Sequence, residues 1–255
     1  MWLRSELKAR AKEVLRGNYW KAFLISLVIG FATGGGSSGG SSSSSWRNSY
    51  NNASSSFGDW SSEILPILGV VSAFLGVIVI AAILIQVFLM SPLEVGGRKY
   101  FIQSAQYFDN RGCFRYAFDG QNYLGIVGTM FLRAIFTFLW TLLFIIPGIV
   151  KSYAYRMVPY ILADNPNIGA NRAIELSNNM TRGHKFDMFV LDLSFLGWYL
   201  LGLLLFFIGG IFVAPYQYAT DAELYLVLRS NAIESGMCNL WELNLYDPNQ
   251  TEYNV

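Results

Sequence analysis

Residues 64–90 read ILPILGVVSAFLGVIVIAAILIQVFLM, and only Ser72 and Gln86 interrupt the apolar run. A helical residue rises about 1.5 Å, so about 20 mostly apolar residues cross a hydrocarbon core about 30 Å thick. This stretch is long enough to cross and carries no charge. It places the chain among helical membrane proteins.

Working outward, the next candidate is 124–146, broken only by Arg133 and a few Thr and Gly, and then 186–208, with Asp187 and Asp192 near its start. Residues 19–33 form a shorter span that needs its flanks or a thinned bilayer. Composition agrees: 53% of the 255 residues are hydrophobic and 14% charged, and mean hydropathy is +0.37. A soluble domain of this length needs more charge on its surface. Six of the 18 Lys and Arg (Arg4, Lys8, Arg10, Lys12, Arg16, Lys21) fall in the first 21 residues. That bias argues for orientation in a membrane and against nucleic acid, which needs a basic patch on a soluble fold. The basic stretch carries Glu6 and Glu13, and no A-x-A-like site follows the first apolar run, so the segment reads as an uncleaved first span and not a signal peptide.

Two weaker stretches, 149–163 and 211–228, each follow a breaker, Pro147-Gly148 and Gly209-Gly210. If 124–150 were a lone span, the loop with Arg172, Arg182 and Lys185 would lie opposite the basic N-terminus. Reading each breaker as a tight outer turn between two helices removes that conflict. The expected fold is all-α: an integral membrane bundle of about six transmembrane helices with both termini cytoplasmic.

The same layout exposes an internal repeat. Arg16-Gly17-Asn18-Tyr19-Trp20, Asp119-Gly120-Gln121-Asn122-Tyr123 and Arg182-Gly183-His184-Lys185-Phe186 each lead from an amphipathic stretch into an apolar helix. The second helix of each unit carries a proline: Pro92, Pro159 or Pro215. The reading is one membrane domain over 1–230, built as three hairpins (1–103, 104–166 and 167–230), each preceded by a cytoplasmic amphipathic helix. A Gly/Ser-rich extracellular loop over 34–63 is expected to be disordered, because GGGSSGGSSSSSWRNSYNNASSS has little apolar area to bury. Residues 231–255 form a polar tail.

Several stretches resemble the bacterial family catalogued as domain of unknown function 975: Leu7-Lys8-Ala9-Arg10-Ala11-Lys12 leading to Gly17-Asn18-Tyr19-Trp20, Pro92-Leu93-Glu94-Val95-Gly96, Ile146-Pro147-Gly148-Ile149-Val150-Lys151, the run from Tyr153 to Pro166, Leu193-Ser194-Phe195-Leu196-Gly197-Trp198, and Ala222-Glu223-Leu224-Tyr225. The Pro-Gly hairpin and the surface helix more distantly resemble the membrane domain attached to some glycerophosphodiester phosphodiesterases, whose catalytic barrel has no room here. The resemblance implies a bacterial inner-membrane protein and carries no established activity or site.

Charge inside a span costs about 2.5 to 3.5 kcal/mol, so each such residue needs a reason. By helical rise, Arg133 lies roughly 13 Å and Asp192 roughly 9 Å from the same end of the bundle. The two are placed to meet, either as a structural ion pair or as a site for an anionic head group or a proton. Arg156, between Tyr153, Tyr155 and Tyr160, stacks on its neighbours or binds a lipid phosphate. With Asp187 these form the candidate intramembrane polar site. Lys151 snorkels without a partner, and Asp221 and Glu223 are expected at the water interface. Residues 171–181 read as a helix with Ala173, Ile174, Leu176 and Met180 on one face, started by Asp164-Asn165-Pro166.

Cys113 and Cys238 read as unpaired, no Cys/His spacing fits a metal, and His184 has no nucleophile beside it. No cofactor and no enzyme activity are expected. The expected role is a non-enzymatic membrane module that binds lipid, or a protein partner through its amphipathic helices. The alternative is a small-solute or lipid transporter or channel.

Overall fold

The computed structural model describes residues 2–32, 61–204 and 209–245, and there it is helical, with no strand among the described residues. Residues 34–60 of the expected loop over 34–63 and the end of the tail lie outside them; Ser61 to Glu63, expected in that loop, instead open a helix.

Helix α1 (Arg4–Ala32) bends at Asn18, whose φ of −130° and ψ of 20° are not helical. Gly17 before it has no side chain to stiffen the turn, so the helix breaks where the amphipathic part meets the apolar part. Leu7, Ala11 and Leu15 on the first half are buried, whereas Leu3 is exposed.

Helix α2 (Ser61–Ile85) runs through a π-helical turn (Gln86–Met90) into α3 (Ser91–Ala105). The π turn sits where Pro92 removes a backbone N–H and crowds the carbonyl four residues back. That carbonyl belongs to Phe88, and the Tyr123 hydroxyl donates to it at 2.7 Å. Gly97 lets α3 approach α1: a Cβ there would stand 2.4 Å from Ile29 Cγ1. α1 therefore packs along α3, while every residue of 69–86 is exposed.

A short helix, α4 (Cys113–Ala117), leads into α5 (Gly120–Leu143), and the chain then reverses into α6 (Ile145–Ala154). The reversal falls at Phe144, in extended backbone with φ −156° and ψ 139°. This corrects the expected turn at Pro147-Gly148, which lies in the first turn of α6. Proline is tolerated there because its missing N–H has no intrahelical partner to lose. Gly148 serves packing: a Cβ would stand 2.7 Å from the Thr141 Cα.

The expected continuous helix over 149–163 is also interrupted. α6 ends at Ala154, and α7 (Val158–Asp164) restarts with Pro159 in its first turn. Helix α8 (Ala170–Met180) buries Ala173, Ile174, Leu176 and Met180, as its periodicity predicts. It starts at Ala170, within one residue of the expected 171, but behind Gly169 at φ +90° and not at the Asp164-Asn165-Pro166 signal. Asp164 instead closes α7.

Helices α9 (Lys185–Leu204) and α10 (Gly209–Glu234) follow. Gly209 and Gly210 open α10, and Pro215 lies inside it. The Tyr19 hydroxyl donates to the Phe212 carbonyl, three residues before that proline, at 3.1 Å. α10 packs against α1, α3 and α9; α3 also packs against α7 and α4, and α6 packs against α5 and α9. Residues 235–245 fold back, burying Cys238 and Leu243. Both cysteines are free and buried.

Candidate functional site

The break between α6 and α7 carries Arg156 into the middle of three elements. Its guanidinium grips Asp192 of α9 with two parallel bonds, Nη1 to Oδ2 at 2.7 Å and Nη2 to Oδ1 at 2.8 Å. Nη2 also donates to both oxygens of Asp221 on α10, at 2.8 and 3.0 Å. The Tyr153 hydroxyl completes the set, donating to Asp192 Oδ2 at 2.9 Å. A planar fork with five N–H donors suits two carboxylates in this way, and an ammonium does not. The Asp221 side chain is 6% exposed and that of Arg156 17%.

A second cluster has the opposite balance. Glu94 on α3 faces two guanidiniums, Arg98 at 3.5 Å and Arg133 of α5 at 3.8 Å. Arg98 also donates from Nη1 to the Tyr160 hydroxyl at 3.1 Å. It lies over the Tyr160 and Tyr218 rings, 5.1 and 4.6 Å from their centroids. Its Nε is buried without an acceptor. Two carboxylates share one cation in the first cluster, and two cations share one carboxylate in the second. Arg98 and Asp221 lie within electrostatic reach of each other, so each cluster offsets the other's surplus. Unpaired, either surplus would be expensive to bury.

The third polar group closes the chain. Tyr160 stacks on Tyr225 with centroids 5.3 Å apart, and the Tyr225 hydroxyl donates to Asp164 Oδ2 at 2.6 Å. Arg229 donates to the same oxygen at 2.9 Å.

Outside the bundle, Arg172 of α8 holds Glu242 through Nε and Nη2, at 2.5 and 3.2 Å. Those bonds hold the Glu242 carboxyl below its usual range and the Arg172 guanidinium above its own. The pair ties residues 235–245 to α8, helped by the Asn165 Nδ2 donating to the Glu242 carbonyl at 2.9 Å.

Residues 126–232 match the family model described as "Protein of unknown function (DUF975)". That region resembles the family. No curated protein and no solved structure matches the chain, and the more distant likeness to a phosphodiesterase membrane domain is not confirmed. The DUF975 region holds Arg133, Arg156, Asp164, Asp192, Asp221 and Arg229, while Glu94 and Arg98 come from outside it.

Of the residues singled out in sequence, Arg156 and Asp192 are brought together. Arg133 does not meet Asp192: it faces Glu94, because the α6–α7 break delivers Arg156 to Asp192 first. Asp187 stays apart, nearly half exposed, with His184 Nδ1 at 3.8 Å. Lys151 lies over the Trp140 ring at 4.9 Å. Asp221 and Glu223 are buried and not set in water. Glu94, Arg98, Asp164 and Arg229 are additional members. The i, i+4 spacing of Glu94 and Arg98 was the available signal for two of them. Among the described residues no group of His, Cys, Asp and Glu is placed to hold a metal.

Proposed function

We propose that the chain is a multi-pass helical protein of a bacterial inner membrane, working as a non-enzymatic module that binds lipid or a partner protein. The observation that carries this reading is the helix through 69–86, apolar and exposed on every face. The core helix of a soluble protein has the same composition but is covered by its neighbours. An uncovered helix of this kind is costly in water and stable in hydrocarbon, where its backbone groups satisfy one another. Helix α5 is also long and apolar enough to cross, and the α5–α6 tip exposes Leu142, Leu143, Phe144, Ile145 and Ile146.

Six spans in three repeated units, with cytoplasmic termini, complete the proposal. The packing supports a cyclic arrangement of the units. Tyr19 of the first caps a carbonyl beside Pro215 of the third, Tyr123 of the second caps one beside Pro92 of the first, and α9 of the third packs on α6 of the second. The buried charges engage one another across helices, which suits a bundle held in one arrangement.

A second reading, transport of a small solute or lipid, is favoured by one feature. The α6–α7 break puts Arg156 and two carboxylates at a helix discontinuity, as in the ion and substrate sites of many transporters. Reconstitution distinguishes the two. The module reading expects the chain to stay in membranes through an alkaline carbonate wash, to retain lipid on purification, and to give no flux of ions or amino acids in liposomes. Release by the wash contradicts membrane insertion, and saturable flux abolished in Arg156→Gln selects transport.

A further inference from the structure

Glu223 on α10 is 5% exposed, yet among the described residues its carboxylate has no hydrogen bond and no ion pair, unlike the other buried acids of the bundle. It lines a cavity of about 550 Å³ between α1, the end of α3 and α10, with Arg10, Glu13, Tyr107, Ser230 and Asn231. The nearest cation, Arg10, is held by Glu6 at 2.7 Å, and Glu13 forms no ion pair with any described residue. Arg10 lies within electrostatic reach of Glu223 without bonding it, so the cavity wall carries two carboxylates with no ion pair and one guanidinium. A smaller cavity shares Arg10, Val227 and Asn231 with it and reaches Trp2, whose indole Nε1 is buried without an acceptor. The two cavities adjoin along α1 and α10 as one groove, and Glu223 is the unpartnered acid on its wall.

We propose that this groove binds a ligand bearing a primary ammonium group, with the ammonium on Glu223. A buried carboxylate is expensive to leave unpaired, and an incoming N–H cation removes that cost with charge-assisted hydrogen bonds. The half-exposed guanidinium of Arg10 on the same wall favours an acceptor at the ligand's other end, as in a phosphate–amine zwitterion. Such a group comes either from an ethanolamine lipid or from a soluble amine. The site stands on its own geometry and does not depend on which role the bundle performs.

The test uses the full chain in phosphatidylcholine nanodiscs. One arm titrates phosphoethanolamine by calorimetry, with phosphocholine as control, because its quaternary nitrogen donates no N–H. The other replaces part of the lipid with phosphatidylethanolamine and reads the melting temperature. The proposal expects a response in at least one arm, which identifies the source, and at least tenfold weaker binding or loss of the shift in Glu223→Gln. Silence in both arms overturns it, as does an undiminished response in Glu223→Gln. If that variant does not fold, an equal response of the unaltered chain to phosphocholine and phosphoethanolamine overturns it, and a response to phosphoethanolamine alone supports it.

Discussion

Arg156, in the break between α6 and α7, and Asp192 on α9, 36 positions apart, are joined by two near-parallel hydrogen bonds of 2.7 and 2.8 Å. The same guanidinium holds Asp221, so one side chain ties the α6–α7 break to both α9 and α10.

Removing Arg156 leaves two carboxylates with no cation between them. Arg156→Gln is expected to lower unfolding stability by about 3–5 kcal/mol. Arg156→Lys recovers only part, because an ammonium cannot make the paired fork. Asp187→Asn, outside the cluster, should stay within about 0.5 kcal/mol of the unaltered chain. Reversible denaturation of the detergent-solubilised protein measures all three.

Tyr123 matters through one hydroxyl. Tyr123→Phe leaves the Phe88 carbonyl without the donor that replaces the N–H missing at Pro92, a loss of about 1–3 kcal/mol. Pro92→Ala restores a backbone N–H nearby, so the double variant should lose less than the sum of the singles. A double-mutant cycle in melting temperature reads that coupling.

Gly148 is fixed by what stands opposite. The Cβ of Gly148→Ala would press on the Thr141 backbone as well as its side chain, so the α5–α6 hairpin must open. The expected cost in melting experiments is about 1–3 kcal/mol. Thr141→Ser should not relieve it, since the clash with the Thr141 backbone stays.

The docking of residues 235–245 should depend on pH in one direction. The Glu242 carboxyl is depressed in the folded chain, first by its hydrogen bonds to Arg172. Its contribution is complete above the ordinary Glu value of about 4.3 and is lost as pH falls through the depressed one. Limited proteolysis or hydrogen exchange of this segment should therefore quicken in acid and hold steady from about pH 5 to 7. Glu242→Gln should be faster at neutral pH and lose the acid dependence.

The sequence made the helical class legible because hydrocarbon imposes a crude rule, long apolar runs, that residues 64–90 satisfy. Periodicity likewise located the buried face of α8. The turn at Phe144 was hidden because Pro147-Gly148 breaks a helix from within but also suits its first turn and a close approach between helices. Arg156 and Asp192 were legible one at a time, as charges in apolar surroundings. Their pairing was not, since it depends on the α6–α7 break, and depth along an ideal helix paired Asp192 with Arg133 instead. Asp221 was read as solvated because it lies late in the stretch 211–228; α10 runs on to Glu234, which puts Asp221 at mid-helix under α1 and α3, and no local pattern announces such cover.

The central claim, paired spans with the basic ends on one side, is tested most directly by alkaline phosphatase fusions, since this reporter is active only outside the cytoplasm. The account predicts activity for a fusion ending at Phe144 and none for fusions ending at Asn110 or Arg182. An inactive fusion at Phe144, or an active one at Arg182, would contradict it.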